Sequence, residues 1–415
     1  MRKLAISAGI GILLASYFFG SEVLGNKLSQ PAVAAVQQGE PLPLLKLTPN
    51  ASPEAQLAEV FARIERNQLD QALQQAEVLT ERYPNFRLGQ LVKGDLLLAR
   101  AQAISTFGNA SNAPQDKLAD LRAEAMARLN AYRSRPPADM IPSNLLQLEP
   151  EQKFAVVVEA QRSRLYLYAN DNGVPKLVSD YYITQGKLGA DKMREGDKKT
   201  PIGVYKVVGN LSRAKIGDFY GSGAWPLNYP NDLDRRMGRN GHGIWLHGTP
   251  SDTYSRPPKA SDGCVVLANP DLDAVATHLQ IGLTPVIITQ NIDWLNRDEW
   301  RQERDDLRAA VDDWRKDWES RDGERYARNY SRKFEADGTD YASWVDQKRK
   351  INAAKSWISV DTEKLSMFRY PGKQDMAVVT FQQDYKSNNL SNTMMKRQYW
   401  IKEDGHWKII YEGAA

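Results

Sequence analysis

Cysteine is nearly absent from this chain, with Cys264 the single example among 415 residues. One cysteine excludes a disulfide within the chain, and the 4 histidines do not cluster with it as the three or four ligands of a zinc site would. Basic runs are also missing, and the net charge of +4 is small, which argues against a nucleic-acid partner. Cys264 must therefore be interpreted from its immediate surroundings.

The amino-terminal segment has the composition of an export element. Met1-Arg2-Lys3 is positively charged, and Leu4–Phe19 is an apolar stretch of about sixteen residues, shorter than the roughly twenty of a spanning helix. A small-residue cleavage pattern, Ala32-Val33-Ala34, follows downstream. Residues 1–34 are therefore predicted to be an export signal or an inner-membrane anchor, which would place the remaining chain in the periplasm.

The chain up to residue 290 contains two regions with different residue patterns. Apolar residues recur at intervals of three and four over residues 51–148, which predicts a helical domain with a break at Tyr83-Pro84-Asn85. Helices paired around such a break are weakly similar to tetratricopeptide repeats, and a plain helical spacer is the alternative. Residues 152–290 contain short β-branched and aromatic segments between turn residues, as is typical of a mostly-β sandwich.

Residues 300–415 combine a charged helix with strand-like segments that follow it. The apolar face of the helix is predicted to contain Trp300, Leu307, Val311, Trp314 and Trp318. This order, together with Phe381–Tyr385 and Gly405–Lys408, resembles the nuclear-transport-factor-two-like (SnoaL-like) fold, an α+β cone around a pocket. With His406 as its one histidine, the resemblance implies a binding or self-associating module rather than a second active site. We expect its deletion to leave the chemistry of residues 152–290 intact.

Cys264 has the setting of a nucleophile. It follows Gly263 and precedes an apolar run, and His247 lies upstream as a candidate base. A thiol with a pKa near ~8.5 is mostly protonated at neutral pH, so an attacking cysteine needs a base or a lowered pKa. The amides of Gly263 and Cys264 are candidate donors to a developing oxyanion. The alternative for an isolated pair is a small buried cysteine and a core histidine.

The segments around this pair resemble the motifs of YkuD-type L,D-transpeptidases. They are Ile183–Gly186, Lys199–Tyr205, His247-Gly248-Thr249 and Ser261-Asp262-Gly263-Cys264. The resemblance implies that Cys264 is the nucleophile and His247 the base. It also implies that the Gly248 carbonyl orients the imidazole and that Gly263 contributes to the oxyanion hole.

One branch of the family, which includes enzymes that act on lipoprotein-linked peptidoglycan, is similar in Pro226–Asn231 and Gly238-Arg239. Two positions depart from the common pattern: Asp262 where many members have His, and Val266 where many have an Arg that meets a substrate carboxylate. The candidate replacements for that Arg are Arg235, Arg236, Arg239 and Lys259, each of which could instead be a solvated surface charge. The predicted substrate-binding residues are Asn228, Tyr229, Arg239, Ser261 and Asp262.

The family resemblance implies a periplasmic cysteine acyltransferase that acts on peptidoglycan stem peptides through an acyl-enzyme. An amine acceptor would give a 3–3 cross-link or a protein–wall bond, whereas water would give hydrolysis and release of a wall-linked lipoprotein. No metal or organic cofactor is implied. A catalytically degenerate wall-binding module is a further alternative, motivated by Asp262 and Val266.

Overall fold

The computed structural model of the chain describes residues 42–44, 51–104, 106–109, 112–137, 139–336, 338–372 and 374–415. The predicted export element, residues 1–34, lies outside these ranges. Within them, no helix has the length and apolar composition needed to cross a membrane.

A helical region begins the described chain, as predicted. Its helices are α1 (Pro53–Glu65), α2 (Leu69–Arg82), α3 (Arg87–Ala101) and α4 (Gln115–Arg133). The Ser52 hydroxyl accepts the Ala55 N–H at the start of α1, where Pro53 is tolerated because the first helical N–H needs no partner. The helices share a core that includes Leu57, Val60, Leu73, Leu79, Val92 and Leu96. The likeness to tetratricopeptide repeats stays a prediction.

Short strands dominate the next part of the chain. In chain order the elements are β1 (Ile141–Pro142), β2 (Leu145–Gln147), β3 (Phe154–Glu159), β4 (Arg164–Asp171), β5 (Val174–Tyr182), β6 (Gln185–Gly186), β7 (Gly203–Lys206), β8 (Leu211–Ser212), α5 (Arg213–Ile216), a 3-10 turn (Asp218–Tyr220), β9 (Gly223–Pro226), α6 (Asp232–Arg236), β10 (Trp245–His247), β11 (Lys259–Ser261), β12 (Val265–Val266), α7 (Asn269–Ala276), β13 (Pro285–Thr289) and β14 (Trp294–Leu295).

The central region is the predicted sandwich. A 5-stranded sheet has the order β5-β4-β3-β13-β7, and a 4-stranded sheet has the order β12-β10-β9-β8. Their facing side chains form one apolar core, which includes Val156, Val158, Leu165, Leu246, Val265 and Ile288. In the second sheet β10 pairs in parallel with β12, so the ends of these two strands lie side by side.

The carboxyl-terminal region has helices before a sheet, as predicted. Its elements are α8 (Arg297–Glu319), α9 (Gly323–Ala327), β15 (Glu335–Ala336), β16 (Thr339–Asp340), α10 (Tyr341–Ala353), β17 (Ile358–Tyr370), β18 (Met376–Ser387), β19 (Leu390–Glu403) and β20 (His406–Ala414). Asn296 and Glu299 cap α8 reciprocally. All five predicted face residues of α8 are buried. His406 begins β20, directly after the Asp404-Gly405 turn.

The segment that joins the helical region to the sandwich differs from the expected connection. The helical domain is predicted to extend to residue 148, but β2 pairs with β17 and extends the carboxyl-terminal sheet to the order β2-β17-β18-β19-β20. The Trp300 indole N–H donates to the Leu145 carbonyl at 2.7 Å, which ties β2 to α8 as well. The carboxyl-terminal domain therefore includes a strand that precedes the sandwich in sequence.

The sandwich and the carboxyl-terminal sheet share a hydrophobic core. On the sandwich side it contains Ala155, Val157, Tyr166, Tyr168 and Ile287, and on the other side Phe368, Tyr370, Met376, Val378 and Tyr399. The Arg397–Asp232 ion pair, at 2.6 Å, lies at the same junction. Removal of residues 300–415 would expose one face of the 5-stranded sheet to water, which argues against the expectation that their deletion leaves the chemistry of residues 152–290 intact.

Candidate active site

His247 occupies the carboxyl end of β10, where its backbone is paired on both sides. It lies opposite Val266 of β12 and Ala224 of β9. Its ring Nδ1 is 2.7 Å from the Gly248 carbonyl, and since a carbonyl accepts hydrogen bonds, Nδ1 carries the proton and Nε2 has the free lone pair. The side chain thus has the tautomer required of a general base.

The imidazole is enclosed and uncharged. His247 is 2% exposed, and burial lowers its pKa to about 4, although the bond to the Gly248 carbonyl opposes the shift. The Tyr220 ring meets the imidazole edge-on, with centroids 5.1 Å apart, and Trp245 packs against Tyr220 at 5.0 Å. At neutral pH His247 is therefore a neutral imidazole behind an aromatic wall.

Cys264 lies in the turn between β11 and β12, beside the strand that contains His247. Its thiol donates to the Gly243 carbonyl, with Sγ 3.3 Å from the oxygen, and the Trp245 N–H points to the same sulfur. Burial raises the pKa of Cys264 to about 11, which the Trp245 N–H and the positive charge of Arg256 only partly offset. In this state both Cys264 and His247 are neutral.

The turn that precedes the cysteine is held by Ser261. Its hydroxyl donates to the Cys264 carbonyl at 2.6 Å and accepts the Gly263 N–H at 3.1 Å. Gly263 has φ 132°, and a Cβ there would lie 2.8 Å from the Lys199 carbonyl oxygen, so only glycine fits. Asp262 points outward and forms an ion pair with Lys187 at 3.0 Å.

Asn269, which the sequence analysis did not identify, organises the turn after His247. Its Oδ1 accepts the N–H groups of Ser222 (3.0 Å) and Thr249 (3.2 Å), and its Nδ2 donates to the Thr249 carbonyl at 2.8 Å. A Cβ on Gly248 would collide with Oδ1, which explains the glycine. The sequence feature that could have indicated Asn269 is its position as an amide residue directly after the apolar run that follows Cys264.

The other three predicted substrate-binding residues also have structural partners. Asn228 Oδ1 accepts the Lys206 N–H at 2.7 Å, and the Tyr229 hydroxyl donates to the Asn240 carbonyl at 2.9 Å. Arg239 forms ion pairs with Asp234 at 3.3 Å and Asp191 at 3.4 Å. These bonds hold the segment before β10 in place, and none of them involves Cys264 or His247. Direct substrate contact by these residues stays a prediction.

The helical region packs on the loop that joins β10 to β11. Tyr254 of this loop packs against Phe86 with ring centroids 4.6 Å apart, and the Ser255 hydroxyl donates to Glu124 at 2.6 Å. Glu124 is in turn paired with the buried Arg128 at 2.9 Å. The loop between the two candidate catalytic residues is therefore fixed by contacts from another domain.

The described residues form a β sandwich in which a histidine ends β10 and a cysteine directly precedes the neighbouring parallel strand β12. The profile of the L,D-transpeptidase catalytic domain (YkuD) matches residues 153–288, and the profile of the Cds6 C-terminal NTF2-like domain matches residues 306–413. The chain belongs to the YkuD-type L,D-transpeptidase family and has a carboxyl-terminal NTF2-like domain, as the sequence motifs predicted.

Two solved structures extend the similarity beyond the catalytic domain. Bd1075 of Bdellovibrio bacteriovorus is 30% identical with a TM-score of 0.59, over 67% of this chain and 98% of that one. Pgp2 of Campylobacter jejuni, a helical cell shape determining protein, is 25% identical with a TM-score of 0.57, over 66% of this chain and 95% of that one. A comparison with curated proteins gave no match.

Proposed function

We propose that the protein is a cysteine acyltransferase that acts on peptidoglycan stem peptides, with Cys264 as nucleophile and His247 as base. The supporting observation is the His247 tautomer, which leaves Nε2 free as a proton acceptor on the strand beside Cys264. Similarity to Pgp2, a helical cell shape determining protein, supports a substrate in the wall. The charged and apolar amino-terminal segment supports a periplasmic location.

The reaction begins with transfer of the Cys264 thiol proton to His247 Nε2 as sulfur attacks the carbonyl carbon at the L-centre of the diamino acid. The tetrahedral intermediate places negative charge on the former carbonyl oxygen. When it collapses, the C–N bond breaks and the imidazolium returns its proton to the leaving amine. The product is a thioester on Cys264, which a second amine or water then cleaves.

Because Cys264 and His247 are both neutral before substrate binds, transfer of the thiol proton must occur together with attack of the sulfur on the substrate carbonyl. A thiol with a pKa of about 11 and an imidazole with a pKa of about 4 do not form a thiolate–imidazolium pair at neutral pH. The ion pair therefore forms as the substrate carbonyl arrives. Because the Gly263 N–H is bonded to Ser261, we assign the oxyanion contact to the amide of Cys264 itself.

Iodoacetamide is expected to alkylate Cys264 slowly at pH 7. The rate should rise about tenfold per pH unit towards pH 11, because the thiolate is the reactive form and burial raises the pKa of Cys264 to about 11. Intact mass reports a single site since the chain has one cysteine, and Cys264→Ala gives the zero level. A rate that levels off below pH 8 would demonstrate a preformed thiolate and contradict coupled transfer.

Incubation with disaccharide tetrapeptide is expected to give dimers joined through two diamino acids, which mass spectrometry identifies. Transfer is favoured over hydrolysis because the family at large transfers acyl groups to amines. Release of lipoprotein from a lipoprotein-linked muropeptide, with no new amide bond, would instead identify a hydrolase. A folded protein that forms neither product and gains no mass from a carbapenem would be a wall-binding module, and the proposed chemistry would be wrong.

A further inference from the structure

Arg256 is a positive charge beside the catalytic pair that has no ion-pair partner among the described residues. In the described part of the chain no carboxylate forms an ion pair with it, and Asp262 is paired with Lys187 instead. Its guanidinium carbon lies 4.9 Å from the centroid of the Phe219 ring. Phe219 is 58% exposed, and its ring centroid is 6.4 Å from that of His247. Arg256 and Phe219 thus form a surface beside the site that is both positively charged and apolar.

The charge of Arg256 acts on both catalytic groups. It lowers the pKa of Cys264 and the pKa of His247, and burial lowers the pKa of Arg256 itself. Asp262 favours the charged guanidinium of Arg256 at longer range but is itself bonded to Lys187, so no ion pair among the described residues offsets the hydration that Arg256 loses. An anionic ligand bound at this position would supply an ion pair and offset the hydration that Arg256 loses.

The backbone of Arg256 is rigidly held. Its carbonyl accepts the Tyr182 hydroxyl at 2.9 Å, and the Thr184 hydroxyl donates to the next carbonyl, that of Pro257, at 2.8 Å. Two consecutive prolines follow, which restrict φ, and the preceding residue, Ser255, is bonded to Glu124 of the helical region. Because its backbone is held in this way, Arg256 is pre-organised and needs little ordering when a ligand binds.

We propose that Arg256, stacked on Phe219, binds a free carboxylate of the acyl-donor peptide next to the scissile amide. A guanidinium that lies over an aromatic ring keeps its N–H edge available for bidentate bonds to a carboxylate. Val266 leaves the second position after Cys264 without a cation, and Arg256 supplies one from the loop that precedes β11. The identity of the peptide rests on the proposed function, but the preference for a carboxylate does not.

Two alkylating reagents of similar size test this carboxylate preference at Cys264: iodoacetate, which is anionic, and iodoacetamide, which is neutral. Arg256→Gln is expected to lower the iodoacetate rate about 10-fold or more, the range of a lost charged hydrogen bond, and to change the iodoacetamide rate less than about 3-fold. Arg256→Lys should give an intermediate iodoacetate rate. Lys215→Gln, at an exposed cation four positions before Phe219, is the matched control and should change neither rate.

Equal losses with both reagents would mean that Arg256 acts on the thiol rather than on a ligand. No change with either reagent would show that Arg256 does not contribute to the site. Both outcomes overturn the subsite. With stem peptides, Arg256→Gln should raise KM for a donor with a free carboxyl terminus and leave KM for the amidated donor unchanged. If wild-type protein discriminates between the reagents but processes no stem peptide, the proposed function fails and the carboxylate subsite stands.

Discussion

Replacement of Cys264 by alanine is expected to abolish turnover of muropeptides, and replacement of His247 by glutamine to lower kcat/KM by at least about 100-fold, as expected for loss of a general base. The effect of His247 is large because burial raises the pKa of the thiol to about 11, so few molecules hold a thiolate at neutral pH without a base. Product formation measured by mass spectrometry gives both rates.

The folded state should survive the Cys264 change, since a small residue replaces a small residue in a turn held by Ser261. Thermal unfolding of the variant is expected to match that of the wild type. His242→Gln is the matched histidine control, because His242 is 80% exposed and faces Glu195 at 3.5 Å rather than the site. Wild-type rates in either the Cys264 or the His247 variant would show that the pair has been wrongly assigned.

Removal of residues 297–415 is expected to prevent folding of the sandwich domain. The deletion would expose the apolar face formed by Ala155, Val157, Tyr166, Tyr168 and Ile287, and would leave β2 without its partner strand. Burial of apolar area is the main stabilising contribution to a domain, so a face of this size left in water favours unfolding and aggregation. Soluble yield and circular dichroism of the truncated chain measure the outcome.

A point variant tests the same junction in the complete protein. Phe368→Ala removes a side chain that is 5% exposed in the shared core and is expected to lower the free energy of unfolding by about 3–5 kcal/mol. Because the core belongs to both domains, we expect one calorimetric transition that moves as a unit. Trp357→Ala, at a 48% exposed aromatic residue, is the control. A truncated chain that unfolds cooperatively and alkylates like the wild type would contradict the coupling.

Local patterns in the sequence predicted the individual elements well. The apolar stripe of α8 predicts which side of that helix is buried. The Ser261–Cys264 motif with His247 indicates the candidate catalytic pair, whose role stays a prediction. These features depend on residues close together in the chain, where spacing translates directly into geometry. The family profiles confirm the sandwich and the NTF2-like domain that these patterns indicated.

Contacts between distant segments were the part that the sequence did not predict. The pairing of β2 with β17 joins residues more than two hundred positions apart, and the polar atoms of Tyr229 and Arg239 bond to protein groups that no local pattern specifies. No local pattern marks Arg256, because its significance depends on Phe219, which lies on a separate turn. Such residues acquire their roles only when the fold brings the segments together.

The hydrogen bond from the Cys264 thiol to the Gly243 carbonyl bears on the lifetime of the protein. Peroxides oxidise thiolates far faster than thiols, so a sulfur held in its protonated form is a poor target for sulfenic acid formation. With no second cysteine in the chain, an oxidised Cys264 could not be rescued by an internal disulfide. In the proposed mechanism, holding Cys264 as a thiol until a peptide arrives therefore protects a residue that cannot be repaired through an internal disulfide.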